Sequence, residues 1–364
     1  MVFPKIPMDK NISVAHINFA KGFRGGERQT ELLISRLADR GLTQILLCRK
    51  GSPLAEHLRG VANLRIVELE KVVDLRLQGH GLVGSKVDIV QAHETRGAQW
   101  ALVHHMLCSV PYVVTRRVTE PVRENFFNRK LYGNAAAVVA ISSCIRSDLQ
   151  HQFKRQIDLI SDSCAGFVSN ENAVRALAAQ YGRFFVIGNI AALVDKVKGQ
   201  TTLIKAAHLL RHEISNLKVL FLGIGKDEQL FREHAADLIK DGLVEFLGFK
   251  TNVADYLKIM DVFAFPSNSE GLGSVLLDAM DQGVPVVASA VGGIPDIVKN
   301  NETGLLIGKG DAEGLAEAVL RIRDSEQLKD KLISGGHMMA KQCSPENIAE
   351  KYHDLYLRSI KGRE

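Results

Sequence analysis

The sequence predicts an α/β protein built from two doubly wound, Rossmann-like domains. Its strand-like segments are continuous apolar runs separated by helix-like segments, which is typical of a parallel sheet covered on both faces. The alternation restarts after residue 180, and 364 residues suffice for two domains of ordinary size. We therefore expect a first domain over 1–180, a second over 181–343 and a final segment, 344–364, that carries an amphipathic helix.

Each element follows from a local pattern of apolar residues bounded by turn residues. In the first half the predicted strands are 12–19, 44–48, 87–93, 112–115 and 135–141, with helices ending near Arg40 and spanning 98–107. In the second half the predicted strands are 184–188, 218–223, 244–247, 262–265, 286–288 and 304–307. The predicted helices there are 201–211, 228–240, 253–259, one ending at Gly283, 312–325, 326–342 and 345–360.

The composition indicates a soluble globular protein of the cytoplasm. Apolar residues make up 46% and charged residues 24% of the chain, and no apolar run reaches the length of a membrane span. Residues 1–10 contain no apolar core of a secretory signal. The five cysteines are scattered without a C-x-x-C pair, so we expect reduced thiols and no metal site.

The charge of the chain is uneven. Residues 1–180 hold 24 Lys and Arg against 16 Asp and Glu, whereas the remainder holds 22 against 25. A basic first half indicates an anionic partner, such as a membrane surface or a phosphorylated glycolipid, or else only a solvated basic face. Nucleic acid is not expected, because basic and aromatic residues do not interleave.

One stretch in the second half carries the clearest chemical signal. The predicted strand 262–265 is followed by Glu270 and then by Gly271, Leu272, Gly273 and Ser274, where a helix begins. Open α/β sheets bind ligands at the carboxyl ends of their strands, and free N–H groups at a helix start favour anions. Asp278 lies eight residues after Glu270, about two helical turns on. Two acids so placed suit a long ligand with two hydroxyl-bearing parts, such as a nucleotide-sugar.

This stretch resembles the donor-binding signature of retaining family-4 glycosyltransferases of the GT-B fold. Glu270, the run 283–288 (Gly-Val-Pro-Val-Val-Ala), the Gly292-Gly293 pair and the run 303–306 (Thr-Gly-Leu-Leu) match the family pattern. The second acid of that pattern is Glu, and here it is Asp278, which is one methylene shorter. The resemblance implies two Rossmann-like domains facing across a cleft, with the final helix crossing back towards the first domain.

The resemblance also implies how a donor is held. Lys198 matches one of two family cations that bind the diphosphate, together with the helix start at 271–274; Glu270 would hold sugar hydroxyls and Asp278 the ribose. Asn189 stands where the family has the other cation, an arginine, and Lys196, Arg183 or Arg117 are candidates to replace that charge. The remaining donor-binding matches are glycines and one aromatic residue, namely Gly223, Gly248 and Phe249.

Three further matches lie in the first half. Gly25 and Gly26, after the first strand, resemble the glycine-rich loop that lets backbone approach the diphosphate and the acceptor. His93 ends a predicted strand and is a candidate substrate contact or an ordinary structural histidine. Arg117 replaces a family histidine, so it is a candidate to bind an anionic group or to pair with Glu120 or Glu124.

These matches predict a glycosyltransferase that moves a sugar from a nucleoside-diphosphate-sugar to an acceptor hydroxyl with retention. We expect the acceptor to be a lipopolysaccharide or other envelope glycan, with the enzyme cytoplasmic or peripheral on the cytoplasmic face of the inner membrane. No Asp-x-Asp motif occurs at the predicted cleft loops, so no metal or other cofactor is expected. The alternative is a catalytically weakened nucleotide-sugar-binding partner or sensor, as the departures at Asn189, Asp278 and Arg117 indicate.

Overall fold

The computed structural model describes residues 12–70 and 74–361. Contacts group them into two compact units, one comprising the described residues up to Ser161 and from Pro345 onward, the other Asp162–Ser344. Such a grouping does not establish where a functional domain begins, so the domain limits at 180 and 343 stay predictions. The predicted absence of a signal segment concerns residues 1–10, which lie outside the described residues.

The sheet of the first unit is entirely parallel. Its strands are β1 (Ser13–Asn18), β2 (Thr43–Arg49), β3 (Leu64–Leu69), β4 (Ile89–Ala92), β5 (Tyr112–Arg116), β6 (Ala137–Ala140) and β7 (Asp158–Leu159). Their order across the sheet is β3-β2-β1-β4-β5-β6-β7, with β1 in register with both β2 and β4. The strand order therefore reverses between β1 and β4, and a ligand is expected where the carboxyl ends of these two strands meet.

Helices connect these strands in the first unit. They are α1 (Gly25–Asp39), α2 (Pro53–His57), α3 (His80–Val83), α4 (Thr95–Cys108), α5 (Phe126–Gly133) and α6 (Ser143–Phe153), besides a short 3-10 helix at Leu75–Leu77. Glu94 begins α4 by accepting hydrogen bonds from the backbone N–H groups of Arg96 and Gly97. Helix starts after β1 and β4 thus lie beside the reversal of strand order.

The second unit repeats this arrangement. Its strands are β8 (Phe185–Ile190), β9 (Leu217–Leu222), β10 (Val244–Gly248), β11 (Val262–Phe265), β12 (Val286–Ser289) and β13 (Leu305–Ile307). They are parallel, in the order β10-β9-β8-β11-β12-β13, so the order reverses between β8 and β11. Its helices are α7 (Glu171–Tyr181), α8 (Asp195–Lys198), α9 (Gln200–Leu210), α10 (Glu228–His234), α11 (Ala236–Lys240), α12 (Val253–Leu257), α13 (Val275–Asp281), α14 (Ile294–Ile297), α15 (Ala312–Asp324) and α16 (Glu326–Gln342).

The last helix, α17 (Pro345–Lys361), packs in the core of the first unit. Two of its tyrosines reach buried polar groups of the sheet. The hydroxyl of Tyr356 donates to Oε1 of Gln91 over 3.1 Å, and that of Tyr352 lies 2.9 Å from Oγ1 of Thr115. Because both hydroxyls have buried partners, α17 is bound to β4 and β5 by specific hydrogen bonds as well as by apolar packing.

The predicted α/β class with two doubly wound sheets is confirmed, and the differences are local. The predicted helix 228–240 is two helices, because Ala235 leaves the helical backbone at φ −106° and ψ 14°. Strand β3 was not predicted, since it lies at the sheet edge, where half-exposed and charged residues such as Arg65 and Glu68 interrupt the apolar run. Strand β7 has only two residues and therefore leaves no sequence pattern.

Candidate functional site

The centre of the candidate site in the second unit is an ion pair between Lys198 and Glu270. Nζ of Lys198 donates to Oε1 of Glu270, and the two side chains are only 22% and 10% exposed. The same carboxylate oxygen accepts a 2.9 Å hydrogen bond from the hydroxyl of Ser267. Nζ also lies 5.2 Å from the ring centre of Phe265, the last residue of β11. Two opposite charges thus lie together, largely shielded from water, beyond the carboxyl ends of β8 and β11.

The backbone around Lys198 is bound directly to the loop after β11. The carbonyl of Val197 accepts a 2.8 Å hydrogen bond from N–H of Asn268, whose side chain donates to the carbonyl of Asp195 over 2.9 Å. Gly199 has φ +62°, and a Cβ there would lie 2.2 Å from the carbonyl oxygen of Pro266. A glycine is therefore required for α9 to begin beside this loop, and it fixes the position of Lys198 relative to Glu270.

Glu270 is supported from its other side by the Gly-Gly pair of the sequence motif. The carbonyl of Glu270 accepts a 3.3 Å hydrogen bond from N–H of Gly293. Gly292 has φ +54°, and a Cβ there would lie 1.9 Å from that same carbonyl oxygen. A side chain at position 292 would therefore collide with the backbone that carries Glu270, so glycine is required there.

Asn189 is enclosed at the end of β8, 1% exposed. Its Nδ2 donates to the carbonyl of Ala264 over 2.8 Å, and its Oδ1 is buried without a hydrogen-bond partner. The side chain therefore joins the two strands where their order reverses. Of the candidates for the missing cation in this unit, Lys196 is exposed near Lys198, whereas Arg183 precedes β8 and so lies at the opposite edge of the sheet.

The predicted helix-start residues form a turn that leads into α13. Gly273 has φ +85°, and its carbonyl accepts from N–H of Leu276 over 2.9 Å. Leu272 is buried, whereas Gly271, Gly273 and Ser274 are partly exposed. Asp278 lies on α13, half-buried, and its Oδ1 accepts a 2.6 Å hydrogen bond from N–H of Ala165.

The remaining donor-binding candidates lie after β9 and β10. N–H of Gly223 donates to the carbonyl of Gly248 over 2.9 Å, so the two loops are joined. Gly223 has φ +143°, and a Cβ there would lie 1.9 Å from the carbonyl oxygen of Ala191, in the loop after β8. Phe249 is 69% exposed and follows Gly248 directly. These residues belong to the same edge of the sheet as Glu270.

In the first unit the candidate residues also come together at the reversal of strand order. Nη1 of Arg117 donates to the backbone carbonyl of His93 over 3.2 Å. A Cβ built on Gly26 would have Cδ of Arg117, at 3.9 Å, as its nearest neighbour, whereas Gly25 has open space around it. Gly25 and Gly26 begin α1, and the carbonyl of Gly26 accepts from the hydroxyl of Thr30.

Sequence reasoning missed the residues that surround the ring of His93. Nε2 of His93 lies 2.9 Å from Nδ1 of His16, and Nε2 of His16 lies 3.0 Å from Oε1 of Gln44. Burial lowers the pKa of His16 to about 3 and, as the main cause, lowers that of His93 well below its usual value; the nearby Arg117 and a protonated His16 would each disfavour a charge on His93 as well. Both rings are therefore neutral at pH 7. The signal available in the sequence was a histidine and a glutamine inside otherwise apolar strands.

Within residues 12–70 and 74–361, no three His, Cys, Asp or Glu side chains are grouped as metal ligands. Across the same residues no helix combines the length and apolar character of a membrane span.

Comparison with known proteins gives a consistent set of likenesses. Residues 171–338 match the family model described as glycosyl transferases group 1. The chain is 28% identical, over 94% of its length and 98% of the relative, to the lipopolysaccharide core biosynthesis glycosyltransferase LpsE of Rhizobium meliloti. Among solved structures, Anabaena Alr3699/HepE in complex with UDP and glucose has a TM-score of 0.79 at 18% identity, covering 94% of this chain and 98% of that one. A glycosyltransferase from Rickettsia africae has a TM-score of 0.83 at 19% identity, with 97% and 100% covered.

Proposed function

We propose that this chain, which the family match and the relatives support as a glycosyltransferase of the GT-B fold, transfers a sugar from a nucleoside-diphosphate-sugar to an acceptor hydroxyl with retention. The observation that carries the proposal is the Lys198–Glu270 pair at the carboxyl edge of β8 and β11. An ammonium and a carboxylate placed side by side can bind the two chemically different halves of such a donor, the anionic diphosphate and the hydroxyl-bearing sugar.

The ion pair also suits a site that is empty between turnovers. Without ligand, each charge has the other as its partner, which offsets the cost of holding it away from water. A bound diphosphate competes for Lys198, and sugar hydroxyls donate to Glu270 in place of the ammonium. Ser267 keeps its hydrogen bond to Oε1 of Glu270 and so holds the carboxylate in position.

The proposed catalytic effect is electrostatic. Negative charge develops on the diphosphate as it leaves, and a fixed cation in a water-poor site stabilises that charge. Lys198 and the backbone N–H groups around 271–274 would supply this stabilisation, and Asp278 would bind the ribose. Retention is proposed with the leaving phosphate receiving the proton of the acceptor on the same face, without a metal or cofactor. No general base is assigned to a side chain.

The proposed acceptor is a glycan of the cell envelope, in the class of the lipopolysaccharide core. The similarity to LpsE over nearly the whole of both chains supports this class. The excess of basic residues in the first 180 positions fits an anionic acceptor and contact with the cytoplasmic face of the inner membrane. In the first unit Arg117, Gly25, Gly26 and His93 are the residues proposed to contact substrate.

The test combines binding with product analysis. A thermal-shift screen of UDP-, GDP-, ADP- and CMP-sugars, with and without magnesium, identifies the donor, since a ligand that binds the native state stabilises it. UDP-sugars come first, because the similar Anabaena protein holds UDP and glucose. We expect a shift with one nucleotide that EDTA does not abolish, and a transferred sugar whose anomeric proton coupling matches the donor. An inverted product would refute retention.

A second function is favoured by one observation. Asn189, which stands where family members carry an arginine, is enclosed and bonded to Ala264, so it supplies no charge to a diphosphate. This favours a nucleotide-sugar-binding partner or sensor with weakened catalysis. Such a protein would bind the donor selected by the screen but would show neither transfer to purified core oligosaccharide nor donor hydrolysis. Turnover above that of Lys198→Met would exclude it.

A further inference from the structure

A chain of buried hydrogen bonds in the first unit determines which nitrogen of His93 carries its proton. The chain runs from the carbonyl of Ile34 through Gln44 and His16 to His93, with separations of 2.9, 3.0 and 2.9 Å. The three side chains are no more than 4% exposed. Their hydrogen bonds are therefore made with one another and with the backbone.

The direction of this chain follows from its first member. A carbonyl oxygen can only accept, so the Gln44 atom facing Ile34 is the amide nitrogen. The other end of the amide, Oε1, is then an acceptor, and Nε2 of His16 must carry a hydrogen to donate to it.

The same reasoning continues to His93. The ring of His16 is neutral because burial disfavours its charged form, so its Nδ1 carries no hydrogen and accepts. Nε2 of His93 must therefore be the donor across the 2.9 Å separation. Nδ1 of His93 is left as a bare acceptor, and it is buried without a hydrogen-bond partner.

An unpartnered buried acceptor calls for an explanation, because such groups in native proteins are nearly always satisfied. His93 follows β4 at the reversal of strand order, and its backbone is held there by N–H donation to the carbonyl of Ile17 and by acceptance from Arg117. Gly25, at the start of α1, has open space where a side chain would stand, and Gly26 beside it lies next to the side chain of the same Arg117. Nδ1 is thus the ring nitrogen of His93 that has no hydrogen-bond partner in the protein, and it can only accept.

We propose that His16 and Gln44 are positioning residues that hold His93 as the Nε2–H tautomer, so that its Nδ1 accepts a hydrogen bond from a hydroxyl of the bound sugar. The ligand in this statement rests on the proposed function, whereas the tautomer does not. Neither His16 nor Gln44 touches substrate in this account. They act through the ring of His93.

The tautomer is measured first, on the ligand-free full-length protein. Long-range ¹H–¹⁵N correlation spectra of histidine-labelled protein distinguish Nδ1–H from Nε2–H rings. We expect His93 and His16 as Nε2–H tautomers at pH 7. His105 serves as an internal reference for the other tautomer. Its Nδ1 faces the carbonyl of Val110 over 2.9 Å, so this nitrogen must carry the hydrogen. An Nδ1–H signal from His93 would overturn the proposal, whether or not the protein is an enzyme.

Two variants test whether this chain of hydrogen bonds sets the tautomer of His93. Gln44→Met has similar length but neither donates nor accepts, so His16 loses the partner that fixes it, and the His93 signal should become a mixture of tautomers. His16→Phe removes both ring nitrogens and should have the same effect. His105→Phe is the control. His105 takes no part in this chain of hydrogen bonds, so the His93 signal should stay unchanged. Folding is checked by circular dichroism, and a folded variant that keeps the wild-type His93 signal would contradict the proposal.

Ligand titrations identify the source of the hydroxyl. A hydrogen bond to Nδ1 moves its ¹⁵N resonance, so UDP, UDP-glucose (or the sugar nucleotide selected by the screen) and core oligosaccharide are added separately. A shift with the sugar nucleotide but not with its diphosphate assigns the donor sugar, and a shift with oligosaccharide alone assigns the acceptor. No shift with any of them, in protein whose melting temperature rises with ligand, would show that water or nothing occupies Nδ1 and would refute the ligand contact.

Loss of the His93 tautomer should lower turnover only modestly and should leave the binding of the nucleoside diphosphate unchanged. Gln44→Met should lower turnover roughly tenfold, the effect of losing one well-placed hydrogen bond, while the thermal shift with the nucleoside diphosphate alone stays at the wild-type value. A merely structural role of Gln44 would reduce both together. Wild-type turnover in a variant whose His93 tautomer is mixed would contradict the positioning role.

Discussion

The two units share one strand order but place different chemistry where that order reverses. In the second unit, the edge of β8 and β11 carries a charged pair, Lys198 and Glu270, joined through loops that depend on glycine. In the first unit, the edge of β1 and β4 carries a neutral, buried pair, His16 and His93. The comparison teaches that the fold determines where a ligand can bind, whereas the side chains determine what each edge can do with it.

The largest expected effect comes from removing the cation of the second unit. Lys198→Met should lower turnover by about 10²–10³, because the leaving diphosphate loses a fixed charge. Lys205→Met is the matched control, since Lys205 is an exposed lysine of the adjacent α9 and should retain wild-type turnover. If His93→Ala proved more damaging than Lys198→Met, the division between a charged and a neutral edge would be wrong.

Gly292→Ala should be nearly as damaging for a different reason. Its Cβ would lie 1.9 Å from the carbonyl oxygen of Glu270 at a backbone φ of +54°, so the loop must move. We expect a loss of about 1–3 kcal/mol in stability and a marked loss of donor affinity, seen by calorimetric titration. Gly310→Ala is the control, since it has a similar φ of +72° but open space around it. Equal donor affinity in the two variants would show that Gly292 does not support Glu270.

The neutral edge should appear as a pH dependence of stability. The pKa of His16 is lowered to about 3 in the folded state, so between pH 6.5 and about 3 the unfolded chain binds a proton that the folded chain does not. Stability therefore falls as pH falls through this window, by up to about 1.4 kcal/mol per pH unit for each such histidine. Urea unfolding between about pH 6.5 and 5 measures this slope. It can be followed by the fluorescence of Trp100, which is the single tryptophan and is buried in the first unit.

His16→Phe is the variant that isolates this effect. The slope of its unfolding free energy against pH should be smaller than that of the wild type. At the lower end of the window the difference corresponds to one proton bound by the unfolded chain. An unchanged slope would mean that His16 is already protonated in the folded state, and the neutral description of this edge would fail.

The prediction with the smallest effect on activity concerns the packing of α17. Tyr356→Phe removes the hydroxyl that donates to Gln91, a buried polar side chain, and should cost about 1–3 kcal/mol of stability in the first unit. Turnover at a temperature well below melting should be unchanged, because the hydroxyl is fully buried and has no surface that a ligand could touch. Chemical denaturation followed by Trp100 fluorescence measures the cost.

Prediction from sequence succeeded where the signal is local and failed where it depends on tertiary contacts. The apolar strands and the run around Glu270 leave patterns of fixed period and spacing, and the two doubly wound sheets follow from them. The enclosure of Asn189 by Ala264 and the contact of Asp278 with Ala165 bring together residues 75 and 113 positions apart, and no local pattern records them. The same holds for His16 and Gln44, whose role appears only once β1, β2 and β4 are neighbours.

The measurement that tests the central claim most directly compares a nucleoside diphosphate with its sugar derivative in two variants of the ion pair. Calorimetric titration of Glu270→Gln should show diphosphate affinity equal to or above wild type, because Lys198 no longer has a competing partner, and should show no gain in affinity from the sugar. Lys198→Met should lose affinity for both ligands. If both variants bound the sugar nucleotide as tightly as the wild type, the donor site would not lie at Lys198 and Glu270.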